Sequence, residues 1–330
     1  GTSDSMENRW SEEEVRDLSE VGLLVHQSRL VGGDSGLVIW GGGNTSLKVV
    51  EMDFLGREAR TLRIKASGSD MKMAEYQDFP SVRLDDILPL YDRARMTDEE
   101  MVAFLDHCLL EPGSPRPSIE TLLHAFLPQV SVVHTHADAI LSLSNTRNPQ
   151  DVLSRVYGDD VAVVEYIRPG FDLSKKVGEV VVGNCALKGV VLVNHGLLTW
   201  GNSPKASYDA HIDLVTQAEE YAADRAKGKQ RFGGLKLRRL DEARRRQVAA
   251  AVAPTLRGLV SRRNRAVLRY DDSEEVLEYV TSCDGKELSD IGPVTPDHLI
   301  QTKRKPIWID VTDPEDIPTL VRLLELGVEE

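Results

Sequence analysis

The run Val130-Ser131-Val132-Val133-His134-Thr135-His136 decides how this 330-residue sequence is read. Its apolar, β-branched start predicts a strand, and a strand sends residues i and i+2 to the same face. His134 and His136 therefore project side by side, spaced to grip one metal ion. A second apolar run, residues 189–194, predicts a strand that delivers His195 to its end, where a neighbouring strand end can bring it to the same ion. Three imidazoles with an open position describe a catalytic metal site, whereas four closed ligands describe a structural one. The pair HxH also arises in strands that bind nothing, and His195 by itself reads equally as a turn residue. The third histidine, placed after an apolar strand, is what favours the metal.

Outward from this centre, strands alternate with helices. Ser11 and Glu14 have capping-box spacing and predict a helix over 11–30. Residues 37–40 read as a short strand running into Gly41-Gly42-Gly43-Asn44-Thr45-Ser46, with further strands at 46–50, 61–66 and 161–167. Helical patterns occupy 98–110, 118–126, 149–156, 174–182, 204–226 and 240–250. The interleaving predicts an α/β body, and its continuously apolar strands suit a sheet covered on both faces, by this pattern a parallel one. The basic, Gly-broken stretch 227–246 reads as a linker and solvated helix face. A boundary near 235 then divides a main domain, 8–235, from an extension, 236–330. Strand-like runs at 267–270, 276–281 and 307–311 predict a small α+β appendage there. Residues 1–7 read as a tag remnant and an unordered start.

Composition narrows the function. Lys plus Arg number 40 against 53 for Asp plus Glu, a net charge of −13, which argues against nucleic acid as a partner. No apolar run approaches a membrane span, and Gly1-Thr2-Ser3-Asp4-Ser5-Met6 is no secretory leader, so no membrane is expected and the location expected is cytoplasmic. Three cysteines without CxxC spacing fit neither a disulfide scaffold nor a zinc ribbon. Neither a Rossmann fingerprint nor a Walker loop nor a GxSxG elbow nor an HExxH pair occurs.

Two further features complete the candidate site. Glu120 follows Pro117-Ser118-Ile119 at a predicted helix start, where a carboxylate either complements the helix dipole or serves as an acid/base beside the metal. His124, four residues on, reads as packed or hydrogen-bonded rather than as a ligand. The loops 41–46 and Ser67-Gly68-Ser69, with Ser118, combine backbone-exposing glycines with hydroxyls, chemistry suited to a phosphate.

GGGNTS at 41–46, KASGSDM at 65–71, PSIETLLHAFLP at 117–128, HTHAD at 134–138 and NHG at 194–196 occur in an order that resembles the class II aldolase/adducin family. The resemblance is closer still to the aldolase portion of bifunctional rhamnulose-phosphate aldolase/alcohol dehydrogenases, extending to GPVTPDH at 292–298. It implies a three-layer α/β/α sandwich around a mostly antiparallel sheet, which replaces the parallel expectation. It further implies Zn2+, or another divalent metal, on His134, His136 and His195, with Glu120 catalytic. Epimerases of the family usually carry Asp at that position, and adducin-like members lose the histidines. Substrate phosphate would sit among Asn44, Thr45, Ser67, Gly68 and Ser118. The implied reaction is retro-aldol cleavage of a ketose 1-phosphate, best L-rhamnulose 1-phosphate, to dihydroxyacetone phosphate and L-lactaldehyde. Alternatives are fuculose-phosphate cleavage, methylthioribulose-phosphate dehydration or a non-catalytic interaction module. A homotetramer is expected by analogy, with Tyr157 or Tyr166 as a proton donor across subunits. No dehydrogenase activity is expected of these 330 residues.

Overall fold

The strand that carries the paired histidines, β4 (Ser131–Thr135), lies in the middle of a seven-stranded sheet. This computed structural model of the chain describes residues 6–329; Gly1–Ser5, the greater part of the expected tag remnant, lie outside them. The other strands are β1 (Asn44–Met52), β2 (Glu58–Ile64), β3 (Ser81–Arg83), β5 (Val161–Val164), β6 (Gly189–Leu192) and β7 (Gly196–Gly201). Their order is β3-β2-β1-β4-β7-β6-β5, and every neighbouring pair is antiparallel except β5 with β6. The mostly antiparallel sheet is therefore present, and the parallel expectation is corrected. The error came from the continuously apolar strands, a pattern that an antiparallel sheet also shows when helices cover both its faces.

Alternation along the strands explains why both faces are covered. Val133, Val191 and Leu197 point to one face and pack with Tyr208, Ile212 and Val215 of the helix Pro204–Ala226 and with Ile140 of the helix Asp138–Ser144. Their neighbours Val132, Val190 and Leu198 point to the other face, against Leu173, Val177 and Val181 of the helix Phe171–Gly183. Farther along the sheet, Leu62, Ile64 and Val82 pack with Met101 and Leu105 of the helix Asp98–His107 and with Leu122. Each fully buried aliphatic side chain contributes about 1.5–3 kcal/mol. The result is helix, sheet, helix in three layers.

Local differences have local causes. The helix expected over 11–30 is split into Glu12–Val15 and Glu20–Gly32, because Ser19, not Ser11, caps the longer piece by accepting the Gly22 amide. Residues 37–40 are turn and irregular backbone, not a strand: Leu37 and Val38 donate their amides to the Asp34 carbonyl, and Trp40 has φ +53. The strand after His195, β7, had not been expected, yet it pairs with both β4 and β6.

The chain divides into two compact units. One runs to Arg225 and takes in Val294–Gln301; the other comprises Ala226–Pro293 and the residues from Thr302. The division thus falls ahead of the boundary expected near 235, and a short C-terminal segment returns to the first unit. In the second unit the helix Glu242–Val260, capped by Asp241, packs with the helix Ile317–Glu329. Among the described residues it has no strand longer than an isolated bridge between Leu235 and Ser282, so the α+β expectation is corrected to a helical one. Residues 276–281, expected to be extended, continue a helix whose first turn carries Glu274 and Glu275, complementing the helix dipole. Among the described residues, no helix is long and apolar enough to cross a membrane.

One close approach fixes β7 on β4. A Cβ on Gly196 would lie 2.1 Å from the Thr135 carbonyl oxygen. Gly196→Ala must part the two strands at that point, and overpacking of this kind costs about 1–3 kcal/mol. Urea unfolding should show that loss, together with weakened binding of divalent metal by the adjoining histidines.

Candidate metal centre

β4 projects His134 from the face it shares with Val132 and carries His136 just beyond its end. His195 arrives from the three-residue connection between β6 and β7. There Asn194 adopts φ +56, a conformation that Asn tolerates well, and His195 donates its amide to the Leu192 carbonyl. The three imidazoles are buried, and one nitrogen from each lies within 4.8 Å of the others. His134 Nε2 and His195 Nε2 are 3.2 Å apart.

Hydrogen bonds on the opposite ring edges decide which nitrogens face inward. His134 Nδ1 donates to the Leu197 carbonyl at 3.0 Å, and His136 Nδ1 donates to Asp297 Oδ1 at 2.6 Å. Both leave Nε2 with a free lone pair, the arrangement that orients metal-ligating histidines. His136 Nε2 and His195 Nδ1 are buried with no hydrogen-bond partner. Burial holds the His134 ring well below the usual imidazole pKa, opposed by the nearby Glu120 carboxylate. Ring nitrogens that converge out of water, one from each of three imidazoles, need a cation among them to offset the repulsion of their lone pairs. These residues therefore fit a divalent ion.

Glu120 faces this group from the start of the helix Thr121–Ala125, with Oε1 3.1 Å from His195 Nε2 and Oε2 3.5 Å from His134 Nε2. Burial alone would raise its carboxyl, but the neighbouring His134 ring and a hydrogen bond from His195 outweigh that and hold it well below the usual carboxylate range. Asn44 donates from Nδ2 to Glu120 Oε2 at 2.7 Å and to Ser118 Oγ at 3.2 Å. His124 in turn donates from Nε2 to Asn44 Oδ1 and accepts from Ser46 Oγ, so it orients Asn44 rather than joining the histidine group. Burial lowers His124 to about 4, which keeps the ring neutral for that task. Behind β4, His211 bridges Thr135 of β4 and Thr199 of β7, again as a neutral ring.

Of the residues expected at a phosphate, Asn44 and Ser118 are buried beside Glu120. Ser67 and Gly68 form an exposed turn against Gly41. The Thr45 hydroxyl points the other way, to Ser28 Oγ at 2.5 Å, as alternation along β1 requires. Tyr157 donates its hydroxyl to the Leu214 carbonyl inside the core and is unavailable for proton transfer; Tyr166 is exposed. Two site residues had escaped the reading of the sequence. Asp297 lies 161 positions from its partner His136, and Lys65 opens a motif in which only the small residues had been singled out. Lys65 is buried and donates from Nζ to the carbonyls of Gly41 at 2.9 Å and Ser69 at 2.7 Å, tying the two glycine-bearing loops together.

The Class II Aldolase and Adducin N-terminal domain matches residues 23–222, and the Aldolase class II, second domain matches residues 247–330. A Bacillus subtilis (strain 168) protein named uncharacterized oxidoreductase YuxG is 43% identical over 322 residues, which is 97% of this chain and 47% of that protein. The chain thus spans about half the length of the curated relative it matches. The N-terminal class II aldolase domain of a conserved protein from Thermoplasma acidophilum superposes with a TM-score of 0.62 at 44% identity, covering 66% of this chain and 100% of that one. A sugar-phosphate aldolase from Thermotoga maritima is more distant, at 18% identity and a TM-score of 0.48, over 62% of this chain and 96% of that one.

The buried ammonium carries a pH signature. Desolvation lowers Lys65 from 10.5 to about 8, with Glu120 the largest opposing charge. The unfolded chain then holds this proton more tightly than the folded one, so stability rises with pH between about 8 and 10.5. Below pH 8 both states are protonated and this contribution is constant. Denaturation midpoints at pH 7.5 and 9.5 should show the wild type gaining relative to Lys65→Met.

Proposed function

The chain belongs to the class II aldolase and adducin family, and we propose that it catalyses metal-dependent retro-aldol cleavage of a ketose 1-phosphate. L-rhamnulose 1-phosphate is the substrate that the sequence motifs favour, giving dihydroxyacetone phosphate and L-lactaldehyde. The single observation that carries this reading is the pairing of a complete, buried three-histidine group with one buried carboxylate, Glu120, 3.1 Å from His195 Nε2. A purely structural member of the family has no need to keep four such groups out of water.

His134, His136 and His195 would hold the ion, with Zn2+ the metal that three imidazoles and an open position suit best. A divalent ion there supplies Lewis acidity, drawing electrons from the ketose carbonyl and offsetting the negative charge that develops on cleavage. The residues of the chain do the remaining work. Loss of the C4 hydroxyl proton breaks the C3–C4 bond, releases L-lactaldehyde and leaves the electron pair on the three-carbon fragment. In the synthetic direction the ionised Glu120 removes a C3 proton from dihydroxyacetone phosphate; in cleavage, by microscopic reversibility, the same group returns it. Asn44 steadies that carboxylate, and burial excludes the water that would otherwise compete for it. Ser118, Ser67 and Gly68, with Asn44, supply hydroxyl, amide and backbone donors for the substrate phosphate. Thr45 can contribute only through its backbone. Tyr166 is the remaining tyrosine for proton transfer at the C4 oxygen across a subunit interface, in a cytoplasmic homotetramer.

Dihydroxyacetone phosphate release from L-rhamnulose 1-phosphate should be sensitive to chelator and restored by Zn2+. Absence of release by the zinc-loaded chain would overturn the substrate assignment. Glu120→Gln should bind metal yet turn over about 10²–10⁴-fold more slowly. An unchanged rate would remove Glu120 from the mechanism.

A further inference from the structure

Asp297 occupies a place prepared for it. The residue is 3% exposed, on a short segment, Val294–Gln301, that returns to the unit bearing the histidines. One carboxylate oxygen accepts from His136 Nδ1 at 2.6 Å, and the other accepts the Ile39 amide at 3.1 Å. The slot exists because residue 42 is glycine: a Cβ there would lie 1.8 Å from Asp297 Oδ1. The segment is further anchored by Asn145 Nδ2, which donates to the Val294 carbonyl at 3.0 Å, and by the ring of His298 against Trp40. The remaining inward atom of the pair, His136 Nε2, is buried and without a partner.

From this geometry we infer that Asp297 is a positioning residue for the metal centre, holding His136 with its proton on Nδ1 so that Nε2 faces the ion. The inference rests on the reading that the three histidines bind a divalent metal. A carboxylate in this position fixes the tautomer and ring orientation and makes the imidazole a stronger donor. It also gives the second family domain a task at the site. Asp297 lies within the stretch 247–330 that matches that domain, whereas the histidines and Glu120 lie within 23–222. The centre is thus built from both stretches of sequence, although a single unit of the fold encloses it. A competing role is that of a plug, in which the buried carboxylate blocks the glycine-rich loop against an anionic substrate.

The test measures Zn2+ affinity of the full chain by chelator competition for wild type and Asp297→Asn, alongside thermal unfolding of both metal-free proteins. The expected result is a 10–100-fold weaker Kd for the variant, with metal-free unfolding temperatures that agree. Equal affinities would overturn the inference while leaving the metal reading intact, and a wild type that binds no Zn2+ would overturn both. A variant that gains activity at unchanged Zn2+ affinity would establish the plug instead. Long-range 1H–15N NMR of the zinc-loaded wild type needs no variant. It should find the His136 proton on Nδ1; a proton on Nε2 would contradict the assignment.

Discussion

The candidate centre depends on how closely two strands meet at one point. Gly196, at the start of β7, lies against the Thr135 carbonyl of β4, where any side chain would collide. That contact sets the register in which Thr135 faces Leu197 and His134 faces Leu198. The same register puts the Leu197 carbonyl within reach of His134 Nδ1 and carries His195, one residue before the strand, beside His134 Nε2. Two histidines, one on β4 and one just ahead of β7, thus converge because the backbones can touch. The bridge that His211 makes between Thr135 and Thr199 holds the pairing from behind.

Burial then turns convergence into chemistry. Three imidazoles and one carboxylate are withdrawn from water, and each atom facing away from their common centre is either tied to a partner or, for His195 Nδ1, left without one. Withdrawing unpaired polar atoms from water costs about 1–3 kcal/mol each. A fold retains such an arrangement where a cation satisfies the lone pairs. Around it the sequence spends its small residues on approach: Gly42 admits Asp297, and the turn at Ser67–Ser69 lies against Gly41 and is tied to it through Lys65.

Much of this was legible in the residue order. Period-two spacing in His134-Thr135-His136 and the run 189–194 before His195 pointed to the three histidines that the fold brings together, because strand geometry is local and fixed. The position of Glu120 two residues after Ser118 at a helix start was equally local. What escaped was long-range. Pairing of β4 with β7 leaves no trace in either strand alone, so the continuously apolar strands suggested a parallel sheet. Asp297 could not be placed, since nothing in Thr295-Pro296-Asp297 refers to a histidine 161 positions earlier. Thr45 was misjudged for a simpler reason: it is adjacent to Asn44 on a strand and so must face away from it.

The central claim is that His134, His136 and His195 together hold one catalytic divalent ion. Elemental analysis of the full chain after zinc loading and exhaustive desalting tests it most directly, with His195→Ala prepared in parallel. The account predicts about one zinc per wild-type chain, given three closely spaced imidazole donors, and little in the variant. A wild type without metal, or a variant that keeps the full complement, would contradict it.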